Sequence, residues 1–314
     1  MIVNFLKKWV IRYFQRENKL IGSILQKLLK NHHLVLLDIG AAEGIPKRWE
    51  LIGDNLESIL IEPHPKSAIE LRNMGFEVID KVLHSTAGIE LDFNLAEKKM
   101  CSSFLEPNMK HIEKFSNSER FQIVEKTSFK TATLDEEIEK SNKKPDFIKI
   151  DVEGTELEVL RGASKCLKNL LGVEIESCFF PLRKDQPLVS DVIAFFAKRD
   201  FEFIDFLSII RWERQKYRYT GQPQIADLLF LLKPEVLIQR FNKKVYSKKM
   251  LINYVAVLTV YLRSDYLRLL NEEKSIRKVI PELTNLCELV EKKVGRINLV
   301  EDYSNILKNK IYNL

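Results

Sequence analysis

Cysteine is scarce in this chain: Cys101, Cys166, Cys178 and Cys287 stand far apart, with no Cys-x-x-Cys pair. That spacing argues against a zinc ribbon or a disulfide scaffold, and a reduced, intracellular setting follows as the expectation. Two nucleotide-binding signatures are missing as well. Without Gly-x-x-x-x-Gly-Lys-Ser/Thr a P-loop triphosphatase is disfavoured, and without Gly-x-Gly-x-x-Gly so is a dinucleotide enzyme. No apolar run reaches the ~20 residues that a bilayer-spanning helix needs. The longest, MLINYVAVLTVYL at 250–262, reads as a buried helix. The amino terminus MIVNFLKKWVIRYFQREN breaks its apolar residues with charge, so no secretory signal is read there and a cytoplasmic location is expected.

Charge is present in both signs, but unevenly. Residues 1–33 and 235–314 each carry a net +6, and the middle carries −6, which together give the chain its +6. The expected domains are therefore a basic N-terminal helix at 1–33, an acidic α/β domain at 34–234 and a basic helical appendage at 235–314. In the first segment Ile2, Phe5, Leu6, Trp9, Val10 and Tyr13 share a helical face while Lys7, Lys8, Arg12 and Arg16 occupy others. Such a helix packs on its own domain or contacts a membrane surface or partner protein.

From Leu34 onward short apolar strands alternate with amphipathic helices: LVLLDI, a helix near 47–55, SILIE, a helix over 66–74, and EVIDKVL. This βαβαβ rhythm predicts a doubly wound parallel sheet. Further on, DFIKIDV, LGVEIE, FEFIDFL and IADLLFLL supply later strands. SIIRWERQKYRYTGQPQ, between the last two, lacks a helical stripe, so it is expected to be a loop leading into an antiparallel final strand.

Two strand-to-turn segments carry the chemistry. LVLLDIGAAEG is an apolar strand that ends in a small-residue turn, where Gly40 and Gly44 free the backbone and Ala41 and Ala42 leave room for a ligand. Glu62 ends the next strand about 20 residues later, where an acid can grip a ribose diol. DFIKIDVEGTELEVL then delivers Asp151 and Glu153 to the carboxyl edge of a strand, the edge at which parallel sheets bind ligands.

Three segments resemble the FkbM-type methyltransferases: LDIGAAEG with LIEPHP, then TATLDEEIEK, then KPDFIKIDVEGTELEVLRGA followed by VEIE. The likeness spans roughly residues 35–232. It implies a Rossmann-like class I methyltransferase sheet and S-adenosylmethionine as methyl donor. It further implies a hydroxyl on a saccharide, glycan or secondary metabolite as acceptor. Carried over by position, Asp38, Gly40, Ala41, Glu43 and Gly44 would cradle the methionine side of the donor, and Glu62 would hold the ribose. The sequence departs from the common pattern at Ala42, where many methyltransferases have a second glycine.

Methyl transfer to oxygen needs one base near the acceptor hydroxyl. Asp151 and Glu153 are the first candidates, Asp151 being placed to contact the cofactor as well, although it also suits a helix cap. Glu176 follows, near the end of the next strand, where Glu174 and Glu176 share a face. Asp151 with Glu176 could also hold a divalent metal, but two oxygens do not define a site and no metal is assigned. Pro63 and His64 in EPHP are placed against the adenosine, His64 being equally suited to a surface loop, and His84 is placed near the adenine edge. His32, His33 and His111 read as surface residues, and Glu158 as a solvated one. Ser102, Ser103 and Phe104 form either an acceptor-lining loop or a plain turn, and Trp212, Tyr217 and Tyr219 suit stacking on a sugar. No specific nucleic-acid motif is present. A second reading, a non-catalytic module binding a polyanion, membrane or protein through its basic flanks, stays open.

Overall fold

The computed structural model describes residues 16–41, 44–215 and 221–296. These fall into two compact units. One comprises residues 35–45 and 57–233; the other takes the described parts of 1–34 and 234–314 together with 46–56.

The first unit holds a seven-stranded sheet. Its strands are β1 (Leu34–Ile39), β2 (Leu56–Ile61), β3 (Glu77–Ile79), β7 (Phe147–Ile150), β8 (Gly172–Cys178), β9 (Phe201–Trp212) and β10 (Gln222–Leu232). They lie in the order β3-β2-β1-β7-β8-β10-β9. β1 pairs in parallel with β7 and β7 with β8, whereas β10 runs antiparallel to both β8 and β9. The class I methyltransferase arrangement with an antiparallel last strand is therefore present. All six residues of β1 are buried, as befits a central strand covered on both faces.

Helix α2 (Pro65–Asn73) follows β2, and α4 (Leu134–Ser141), α5 (Glu156–Arg161) and α6 (Val189–Ala197) fill later crossovers. Thr133 caps α4 in a reciprocal capping box with Glu136. Asp135, two residues on, accepts from the backbone N–H groups of Lys165 and Cys166.

The expected third strand EVIDKVL is divided. β3 stays in the main sheet, while Val82–Leu83 (β4) joins Glu90–Ala96 (β5) and Ile123–Ala132 (β6) in a small sheet of order β4-β6-β5. The expected loop after FEFIDFL is shorter than its composition suggests, because β9 continues to Trp212 and β10 begins at Gln222. Ser208–Trp212 alternates too weakly to read as a strand; it is ordered by pairing with β10, across register shifts.

In the second unit, 251–260 of helix α8 (Lys248–Val260) are buried without a break. The apolar run at 250–262 thus forms the centre of a helical core. Residues 47–55 form a kinked 3-10 helix in place of a regular one, with Gly53 in the left-handed region at φ +60°. Its Trp49 meets Tyr261 edge to face at 5.8 Å. The apolar N-terminal stripe from Ile2 to Tyr13 lies outside the described residues, as does residues 303–312 of the appendage. Among the described residues, no helix is long and apolar enough to cross a membrane.

Candidate functional site

β1 and β7 lie side by side and end together, and their turns interlock. Asp151 N–H donates to Ile39 O at 2.9 Å. A Cβ on Gly40, whose φ is +86°, would stand 1.8 Å from Asp151 O, so only glycine fits there. Gly44, at φ +78°, faces open space within 4 Å. Glu43 and Ala42 lie outside the described residues.

Beneath this turn Asp38 is fully buried, and neither carboxylate oxygen has a hydrogen-bond partner among the described residues. Burial raises its pKa to about 6 against the opposing pull of Lys149. Lys149 Nζ stands 3.6 Å from Asp38 Oδ1 and 3.5 Å from Asp151 Oδ2, linking the two strand ends. Glu62 is buried, and its Oε1 accepts from His64 N–H at 2.8 Å. Burial raises its pKa, and that His64 N–H lowers it.

The turn after β7 is strained: Glu153 sits at φ +60° and Gly154 at φ +112°. Left-handed backbone at a glutamate costs about 1 kcal/mol or more. Several contacts hold it. Ser103 Oγ donates to Glu153 O at 2.6 Å, and the N–H groups of Val152 and Gly154 donate to Glu156 Oε1 at 3.2 and 2.9 Å. Glu156, the first residue of α5, thus braces the turn that precedes its own helix, whose N-cap Thr155 makes no side-chain cap hydrogen bond.

One carboxylate oxygen each from Asp151, Glu153 and Glu176 lies within 4.8 Å of the other two. These three predicted acids thus form one group at the sheet's carboxyl edge. Carboxylates at such spacing share protons rather than ionise independently. Burial raises the Glu153 pKa to about 7, Arg183 opposes this, and Asp151 and Glu156 reinforce it. Glu176 is raised well above the usual range, by burial first and then by Asp151 and Glu153.

Other predicted residues have partners elsewhere. His64 caps α2, its ring nitrogen accepting from Ser67 N–H at 3.5 Å, with Pro65 at the first helical position. Pro63 joins that cap to Glu62. His84 lies by Ser85 and Glu158, and its Nδ1 accepts from Thr86 N–H. Glu158 is half-buried rather than solvated, accepting from Ser85 Oγ at 2.6 Å. His111 is not a free surface residue either: it stacks on Phe180 at 5.5 Å and shares a hydrogen bond with Gln224. Ser102 and Ser103 are buried supports, Ser102 Oγ accepting from Ala96 N–H, and Phe104 packs on Phe93 at 4.9 Å. Trp212 packs under Arg120 at 4.4 Å and against Phe115 and Phe121. Tyr217 and Tyr219 lie outside the described residues.

Two residues were missed by the sequence reading. Lys149 had a visible signal, a lysine between Ile148 and Ile150 in a buried strand, which demands an anionic partner. Arg183 had none: PLRKDQP reads as a surface turn. Its side chain is 2% exposed, and its guanidinium donates to Glu153 Oε2.

The site fits an adenosyl sulfonium donor. A buried carboxylate stands at the second strand end for a diol, the glycine turn opens on free space at Gly44, and an unsatisfied acid lies beneath it. The solved structures that resemble the chain do so only in broad outline. A precorrin-6y C5,15-methyltransferase from Geobacter metallireducens is 11% identical, with 67% of this chain and 86% of that one covered and a TM-score of 0.33. TrmK of M. capricolum, bound to S-adenosylhomocysteine, is 11% identical over 86% and 96%, with a TM-score of 0.32. The Synechocystis PCC 6803 magnesium protoporphyrin IX methyltransferase with bound SAM is 9% identical over 69% and 79%, at 0.33. Likenesses this distant assign no substrate. No curated protein matches the chain. The model of the methyltransferase FkbM domain, however, matches residues 38–203, more than half of the sequence. The chain belongs to the FkbM methyltransferase family, with S-adenosylmethionine as its methyl donor.

Proposed function

We propose that this methyltransferase methylates a hydroxyl oxygen on a saccharide or related hydroxylated metabolite, with Glu153 taking the proton. The observation that carries the reading is the grouping of Asp151, Glu153 and Glu176, in which Glu153 is poised near neutrality. A base whose pKa lies near the working pH combines a useful ionised fraction with useful proton affinity.

When bound, S-adenosylmethionine would supply an electrophilic methyl carbon whose C–S bonding pair stays with the sulfur. Glu62 would hold the ribose hydroxyls, and Asp38, beneath the glycine turn, would lie on the methionine side of the donor. Asp151, tied to Lys149, orients the acceptor hydroxyl. Glu153 receives the hydroxyl proton as the new C–O bond forms. Glu176, whose neutral form is favoured by burial first and then by its acidic neighbours, would offer a hydrogen bond to a second acceptor oxygen.

Calorimetric titration with S-adenosylhomocysteine tests the first step, and labelled methyl transfer over a saccharide panel tests the second. Binding is expected in the wild type and weakened in Glu62→Ala. A well-folded wild type that does not bind, or binding that Glu62→Ala leaves intact, sinks the assignment of the donor site.

A further inference from the structure

Arg183 is an expensive residue to bury. Its side chain is 2% exposed, far from the hydration an arginine ordinarily keeps. Within the same turn Lys184 stays 63% exposed and pairs with Glu106 at the surface. The chain fixes the buried arginine at several points. Its backbone N–H donates to Gln186 Oε1 at 3.1 Å, and Nη2 donates to Cys101 O at 3.3 Å as well as to Glu153 Oε2. The guanidinium lies 5.9 Å from the Phe121 ring centroid. A Cβ on Gly154 would come within 3.2 Å of Arg183 Cδ, so the glycine beside Glu153 lets the arginine stem pass beneath the turn.

We propose that Arg183 is a positioning residue: by gripping Oε2 it fixes the Glu153 carboxylate beside Asp151 and Glu176. This rests on the reading of Glu153 as the base. A guanidinium restrains a carboxylate in direction as well as in charge, which a lysine at the end of a flexible stem does less well. A structural prop for Cys101 O alone would need no anion and would leave Glu153 to its acidic neighbours.

Several charged or titratable groups face Glu153. Asp151 and Glu156 come from its own segment, and Cys101, Glu176, Cys178 and Arg183 from elements packed against it. Of these only Arg183 is cationic, so its removal has one sign. In carbon-detected NMR the Glu153 carboxyl, assigned by its loss in Glu153→Gln, is expected to titrate about 1–3 units higher in Arg183→Met. Arg183→Gln, a polar variant that keeps part of the packing, is expected to shift it the same way. S-adenosylhomocysteine affinity should stay within about twofold in both, because the hydrogen bonds and ion pair of Arg183 go to Gln186, Cys101 and Glu153 rather than to Glu62 or Asp38. An unmoved midpoint in either folded variant overturns the proposal. Glu153→Gln tests the pair without touching the arginine. The guanidinium nitrogen resonances of Arg183 should move, and their constancy overturns the proposal equally. Failure of wild-type S-adenosylhomocysteine binding would instead sink the assignment of the donor site, an outcome distinct from an unmoved Glu153 midpoint.

Discussion

The turns after β1 and β7 leave neighbouring strand ends, yet one is open and the other filled. Among the described residues, chain neighbours aside, no atom lies within 4 Å of where a Gly44 side chain would begin, while Gly154 has Arg183, Gln186 and Leu105 all within 3.3 Å. The difference follows from what each turn must hold. In the proposed function the described end of the β1 turn, at Gly44, leaves space for the methyl donor. The β7 turn presents a side chain, Glu153, in a strained conformation, and strain of that kind persists only where packing over-determines it.

The largest expected effect separates the two turns by function. Glu153→Gln should lower methyl transfer by about 10²–10⁴-fold while S-adenosylhomocysteine binding by calorimetry stays within about twofold. In the wild type the rate should rise with pH and level off above about 7, the value to which Glu153 is raised. Gly40→Ala strikes where the turns interlock, forcing Asp151 O away from a new Cβ. A loss of about 3 kcal/mol or more is expected in denaturant melts.

Asp38 gives a pH signature to the open turn. Its folded pKa, about 6, lies above the ordinary 3.8, so the folded state holds the proton more tightly than the unfolded chain. The resulting stability is complete below about 3.8 and is lost as pH rises to about 6. Asp38→Asn should flatten that decline, by about 3 kcal/mol at most. Glu62→Ala should weaken S-adenosylhomocysteine by about ten- to a hundredfold, the worth of one or two hydrogen bonds to a charged group. Gly44→Ala closes the series. With steric room but φ +78°, it should cost only about 1 kcal/mol, visible as a small fall in Tm.

The open turn was the more legible of the two. Its apolar strand, its glycines and the acid at the end of β2 are consecutive features whose meaning depends on local geometry. The doubly wound parallel sheet was also legible, because strand and helix alternate at their own periods from Leu34 onward, while its class I form with an antiparallel last strand came with the family resemblance. Glu153 was visible as an acid at a strand end, but its partner was not. Arg183 and Lys184 are chemically similar neighbours, and only the packing of Gly154, Cys101 and Phe121 decides which is buried. His111 was misread for the same reason, since its stacking partner and its amide partner lie far away in sequence. The continuation of β9 to Trp212 is likewise set by β10 rather than by its own residues.

The second unit has a practical consequence for dissecting this protein. It gathers residues from both ends and from 46–56, a stretch that interrupts the sheet-bearing unit between its first two strands. The chain therefore passes from one unit to the other four times. Cutting after Lys233 would strip Tyr261 from Trp49 and remove the buried α8, unravelling the loop that joins β1 to β2. The basic appendage is thus no detachable tail, and its contribution can be measured only by point substitutions on its surface in the intact chain.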